Sequence, residues 1–91
     1  MPVNTISVVG LGYIGLPTAA IFASKKKQVI GVDINQDVID TINAGQIHFV
    51  EPELDKIISN VVDAGYLRAV SIPEPADVFF IAVPTPILPL N

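Results

Sequence analysis

The sequence contains no cysteine and no tryptophan. Without a thiol the chain has no disulfide framework, no thiolate metal ligand and no thiol nucleophile, and its lone histidine, His48, has no neighbouring ligand type, so no metal site is expected. Charge is sparse as well: 15% of residues are charged, and five Lys and Arg against nine Asp and Glu give 5 − 9 = −4. An acidic balance argues against a non-specific nucleic-acid or anionic-membrane surface. Long hydrophobic runs are also missing. The first apolar stretch, residues 6–10, is far shorter than a signal-peptide core or a membrane span, and no basic segment precedes it. These absences lead to the expectation of a soluble, cytoplasmic chain with neither nucleic-acid nor membrane partners.

What is present is apolar and segmented. Half of the 91 residues, 51%, are hydrophobic, enough for one small domain with a core. "TISVV" (5–9) reads as a buried strand that runs straight into glycines. Residues 14–24 are helix material, with Ala19, Ala20 and Ala23 keeping the surface thin and Pro17 in the first turn, where its missing N–H has no partner to lose. "QVIGVD" (28–33) is a second strand. Asn35 or Asp37 is placed to cap a helix with Val38, Ile39 and Ile42 on one face and Gly45 at its end. A further helix starts near Pro52, carries Leu54, Ile57, Ile58, Val61 and Val62 at helical spacing, and ends at Gly65. Residues 67–71 form a short strand, "PEPAD" (73–77) a loop, and "VFFIAV" (78–83) an apolar strand stopped by Pro84 and Pro86. Alternating strands and helices imply parallel pairing through right-handed crossovers. The expected fold is an α/β Rossmann-like doubly wound sheet of about four strands in order 3-2-1-4, spanning residues 1–86, with 87–91 as an atypical tail.

That order puts the end of the first strand beside the end of the fourth, and the crevice between them is where such sheets bind ligands. "GLGYIG" (10–15) follows a strand, opens a helix and precedes Asp33, 33 − 15 = 18 residues after Gly15 and at the end of the next strand. Gly10 permits the turn, Gly12 lets backbone approach a pyrophosphate, and Gly15 lets the helix pack on the strand. The helix N-terminus then holds phosphate without a basic side chain. Asp33 is placed to accept hydrogen bonds from ribose hydroxyls, and no Lys or Arg stands between it and Asp55 to neutralise a 2′-phosphate, so NAD is favoured over NADP. Domains for FAD or S-adenosylmethionine use related turns, and glycines and Asp33 acting only as turn and cap residues are the bland alternative.

Other residues read as structural. His48 is expected on a surface or half-buried loop, away from the crevice. Glu51 and Glu53 flank Pro52 at a helix start, where capping outweighs acid or base chemistry. Lys25, Lys26 and Lys27 sit where a helix ends and read as a solvated cap. Tyr13 faces either solvent or the cofactor.

"TISVVGLGYIGLPTAAIFA", "QVIGVDIN", "INAGQIHFVEPEL", "GYLRA" and "DVFFIAVPTP" together resemble the amino-terminal domain of the UDP-sugar 6-dehydrogenase family. "GLGYIGLP", "IHFVEPEL" and the proline of "VPTP" are more typical of its UDP-N-acetyl-D-mannosamine branch than of its UDP-glucose branch. The resemblance implies that Gly10, Gly12, Tyr13, Ile14, Gly15 and Asp33 bind NAD and that Val83, Pro84 and Thr85 line the nicotinamide side of the crevice. It further implies oxidation of a sugar C6 alcohol to a uronate with two NAD reduced, in a pathway supplying bacterial surface polysaccharide. Family members are several times longer, and their chemistry uses a cysteine that forms a thiohemiacetal and thioester, together with a lysine from later segments. None of those is in this sequence, and after "VPTP" it reads "ILPLN" where the family continues with a polar loop and a helix. The ending reads as a truncation, a shifted frame or an excised piece. The expectation is therefore a chain that binds NAD, carries no catalytic residue, meets a UDP-sugar only in the full-length context, and associates as a homo-oligomer through its bare last strand. A standalone NAD-binding module and a folded remnant are the alternatives.

Overall fold

The computed structural model of the chain describes residues 3–83, so the expectations placed on Pro84, Thr85 and the tail at 87–91 lie outside the described residues. Among the described residues the elements run β1 (Thr5–Val9), α1 (Gly15–Ser24), β2 (Gln28–Val32), α2 (Gln36–Asn43), α3 (Leu54–Asp63), β3 (Leu67–Val70) and β4 (Val78–Ile81). All strand pairs are parallel and the sheet order is β3-β2-β1-β4, the Rossmann-like arrangement expected from the alternation. Ile81 ends β4 earlier than the apolar run suggests. The last rung is Ala82 N–H donating to Val9 O at 2.7 Å, and β1 then turns away at Gly10, where φ is 95°.

One face of the sheet holds the core. Ile6 and Val8 of β1, Val29 of β2 and Leu67 and Ala69 of β3 pack under Leu16, Ala19, Ala20 and Ala23 of α1 and Leu54, Ile58 and Val61 of α3. The alanines let α1 lie close on the strands, as their spacing predicts. Gly31 adds a device that the sequence pattern does not reveal. A Cβ there would stand 2.9 Å from both δ-carbons of Leu11, so the missing side chain makes room for a fully buried leucine from the glycine loop. Burying a leucine stabilises by about 1.5–3 kcal/mol, which fastens that loop to the sheet.

The helix ends follow the turn chemistry in part. Asn35 caps α2, its Oδ1 accepting from Asp37 N–H at 2.9 Å, and Gly45 (φ 78°) and Gly65 (φ 85°) follow α2 and α3. Glu53 does not cap as expected. It occupies the N-cap of α3 with φ 68°, and no side-chain oxygen there meets a free N–H. A capping side chain needs extended backbone to reach the N–H groups of the first turn, and the left-handed conformation directs it elsewhere. Among the lysines after α1, Lys25 and Lys26 are exposed, whereas Lys27 ties the chain start to this corner by donating from Nζ to Val3 O at 2.7 Å.

The opposite face is crossed by an unusually short link. β3 and β4 lie on either side of β2 and β1, so residues 71–77 must traverse two strands and return along their length. Three strand spacings of about 4.8 Å and four residues of rise make a diagonal of roughly 20 Å. Seven residues (77 − 71 + 1) extended reach about 23–25 Å. A helix would not fit; an extended, proline-bearing strap does. Arg68 holds it in mid-course through a two-pronged ion pair with Glu74, one contact of which is 2.8 Å, and the Arg68 guanidinium holds the Glu74 carboxyl below its ordinary range. At the far end Asp77 Oδ2 accepts from Asn4 N–H at 2.9 Å and Thr5 N–H at 3.0 Å, which lowers its pKa. Asp77 thereby locks the entry of β4 to the entry of β1.

Candidate functional site

The three glycines of the loop after β1 differ in why they are glycine. Gly10 adopts φ 95°, donates its N–H to Val32 O at 2.8 Å, and has no room for a Cβ, which would come within 2.9 Å of Ala82 O and 3.0 Å of Val83 N. A Cβ on Gly15 would overlap the carbonyl oxygen of Gly10, so α1 starts directly against the strand end. Gly12 is different. It has no positive φ and nothing lies within 4 Å of a Cβ placed on it. The fold requires Gly10 and Gly15; nothing among the described residues requires Gly12.

The N–H groups of Gly12, Tyr13 and Ile14 have no acceptor among the described residues, and Ile14, the N-cap of α1, provides no side-chain cap. Tyr13 is 74% and Ile14 68% exposed. Three open N–H groups at the positive end of a helix dipole form an anion cradle, and the absence of a capping side chain leaves it accessible.

Asp33 closes one side of this cradle. Its Oδ2 accepts from Leu11 N–H at 3.0 Å and its Oδ1 from Asn35 N–H at 2.9 Å. The carboxylate is half-buried, and each oxygen keeps a lone pair for a ligand hydroxyl. Asp33 therefore has a structural task that spacing alone does not indicate: it fixes the glycine loop to the end of β2. A cavity of about 350 Å³ opens here between Gly10, Gly12, Asp33, Ile34, Ala82 and Val83. A second, of about 450 Å³, continues from Gly12 past Tyr13 and Ile14 to Phe80 and Val83. Both lie in the range that holds small ligands, and they share Gly12, Ala82 and Val83. The predicted crevice between the ends of β1 and β4 is thus present, with Gly10, Gly12, Tyr13, Ile14, Asp33 and Val83 around it.

His48 is exposed on the α2–α3 loop, as expected, and lines neither cavity. That loop nonetheless reaches Tyr13 through Phe49. The His48 ring meets Phe49 edge-on at 4.8 Å and 89°, and the Phe49 ring packs on Tyr13 at 4.5 Å and 45°. His48 is exposed and makes no side-chain hydrogen bond among the described residues. Phe49 escaped sequence reasoning because an aromatic in a loop carries no signal of what it will touch. No group of three metal-ligating side chains occurs among the described residues.

Known proteins agree with this geometry. The profile of the "UDP-glucose/GDP-mannose dehydrogenase family, NAD binding domain" matches residues 4–89. An NDP-N-acetyl-D-galactosaminuronic acid dehydrogenase of Ralstonia nicotianae is 67% identical over 85 residues, 93% of this chain and 20% of the relative. A UDP-N-acetyl-D-mannosamine dehydrogenase of Yersinia pestis is 64% identical over 86 residues, 94% of this chain and 20% of the relative. The solved UDP-N-acetyl-mannosamine dehydrogenase of Staphylococcus aureus superposes with a TM-score of 0.87 at 51% identity, over 90% of this chain and 20% of that one. The chain spans about a fifth of the length of the curated relatives it matches.

Proposed function

The chain belongs to the UDP-glucose/GDP-mannose dehydrogenase family, and from that premise we propose that it is the NAD-binding part of a UDP-N-acetyl-D-mannosamine 6-dehydrogenase. The observation that supports this best is Gly12, a glycine with no internal cause beside three open N–H groups. In this reading Gly10, Gly12, Tyr13, Ile14 and Gly15 present the phosphate-binding backbone, Asp33 takes the adenosine ribose hydroxyls, and Val83, with Pro84 and Thr85 beyond the described residues, lines the nicotinamide side. Bound NAD supplies a hydride acceptor; the chain's own residues bind and orient it. The 67% identical relative favours a second reading in which the sugar is an N-acetylgalactosamine derivative.

The 91 residues alone bind without turnover. They contain no cysteine to capture an aldehyde, and their one histidine is exposed on a loop. No helix among the described residues is long and apolar enough to cross a membrane. The reading places the chain in the cytoplasm, where NAD is available, as a homo-oligomer joined at its bare strand.

Calorimetric titration tests the assignment. NAD should bind in preference to NADP, and Asp33→Ala should weaken NAD roughly ten- to hundredfold, the equivalent of charge-assisted hydrogen bonds of about 1.5–3 kcal/mol. Equal NAD affinity in wild type and Asp33→Ala would sink the role given to this carboxylate. With saturating NAD and either UDP-N-acetylmannosamine or UDP-glucose, NADH absorbance should not rise above the buffer rate. Growth that scales with protein and vanishes in Asp33→Ala would overturn the claim of inactivity.

A further inference from the structure

The glycine loop is anchored unevenly. Leu11 is held by burial against Gly31 and by its N–H on Asp33, while Gly10 and Gly15 are wedged against each other and against Ala82. The stretch between them, Gly12 to Ile14, carries the open N–H groups and has little of this support. Tyr13 is 74% exposed, with no side-chain hydrogen bond among the described residues. Its aromatic contact is Phe49, at 4.5 Å between ring centroids. Phe49 is partly buried and packed against the main core cluster, and the edge of His48 braces it at 4.8 Å. One side of Phe49 is therefore fixed to the core, and the other rests on the one aromatic side chain of the phosphate-binding stretch.

We propose that Phe49 is a positioning residue for dinucleotide binding: by packing its tilted ring against Tyr13 it holds the N–H groups of residues 12–14 in their binding geometry before the ligand arrives. The inference rests on reading the loop as the NAD site. Pre-ordering removes part of the cost of immobilising the loop on binding. Aromatic pairs of this kind contribute enough to change an equilibrium by about two- to tenfold.

A double-mutant cycle in NAD affinity tests the pair, using Phe49→Ala, Tyr13→Ala and the two combined, with Phe49→Tyr as the conservative variant. Should melting show Phe49→Ala unfolded, Phe49→Leu, which keeps apolar volume against the core, takes its place. The proposal expects the Phe49 variant to weaken NAD about two- to tenfold, Phe49→Tyr to restore it, and the double mutant to be no weaker than the weaker single. Wild-type affinity in the Phe49 variant, or effects that multiply in the double mutant, would overturn it. NMR order parameters of the backbone N–H groups in the ligand-free chain separate this inference from the reading beneath it. If wild type gives no NAD heat, the NAD reading fails, yet lower order parameters at residues 12–14 in the Phe49 variant still support the positioning role. Unchanged order parameters there remove it.

Discussion

At the scale of single residues, Gly12 and Gly15, three positions apart in one loop, make opposite predictions. A methyl group on Gly15 must displace the Gly10 carbonyl, a backbone atom that cannot swing aside. Overpacking of this kind destabilises by about 1–3 kcal/mol, and a rigid backbone obstacle belongs at the upper end. For a domain this small that corresponds to a fall of roughly 10 °C or more in Tm. Gly12→Ala meets nothing within 4 Å and needs no unusual φ, so its melting should stay within a few degrees of wild type. Its NAD affinity should nevertheless fall by about tenfold or more, because the added carbon occupies the approach of the pyrophosphate. Thermal melts and calorimetry on the two variants check both arms; a Gly12→Ala chain that binds NAD as wild type does would remove the ligand-based reason for that glycine. The pattern of glycines followed by Asp33 was readable because each answers a steric or electrostatic demand tied to fixed spacing. The second task of Asp33, the space at Gly31 and the contact of Phe49 were not, since each depends on a partner that only the folded chain brings near.

At the scale of elements, strand and helix identities followed from apolar periodicity, and the remaining differences are at ends set by hydrogen bonding. β4 stops at Ile81 because β1 turns off at Gly10, and α3 starts on a left-handed Glu53 where a capping carboxylate was expected. Least legible was the link over residues 71–77. Its prolines mark a loop, but that an extended strap spans the sheet follows from the strand order and from the partners Arg68–Glu74 and Asp77 with Asn4 and Thr5. The two backbone N–H donors, that of Asn4 first, lower the Asp77 pKa. A carboxyl with a depressed folded pKa contributes stability that is fully present above the unfolded value of about 3.9 and is lost as pH falls through the folded one. Glu74, lowered by Arg68, has the same sign. Melting of the wild-type chain should therefore decline as pH drops below about 4. Asp77→Asn, whose uncharged side chain no longer titrates, should start less stable at neutral pH and show a shallower decline. A variant whose acid slope matches wild type would show that the Asp77 clamp does not control docking of the strap.

At the scale of the whole molecule, the two edges of the sheet are treated differently. On β3 the outer backbone is satisfied by a side chain: Asn43 donates from Nδ2 to Ala69 O at 2.9 Å and accepts from Ala69 N–H through Oδ1 at 2.8 Å. That strand also carries a charge, Arg68. On β4 the described residues provide no such cover. Val78, Phe79, Phe80 and Ile81 are 42%, 51%, 38% and 68% exposed, alternating between both faces, and no charged residue occurs from 78 to 91. Natural edges are kept from pairing by charge, shortness or a covering segment, and among the described residues β4 has only its shortness. The net charge of −4 is carried elsewhere in the sequence, so repulsion does not guard this edge. Two copies of the chain should accordingly associate through β4, with both apolar faces around Phe79 and Phe80 entering the contact. Sedimentation across a concentration series should show a dimer at high micromolar protein. Phe79→Lys, which places an ammonium on the exposed strand at a residue that lines neither cavity, should shift that equilibrium toward monomer while leaving the glycine loop and its NAD affinity in place. A wild-type chain that remains monomeric at those concentrations would mean that the edge is covered within the chain itself, and homo-oligomerisation at β4 would be excluded.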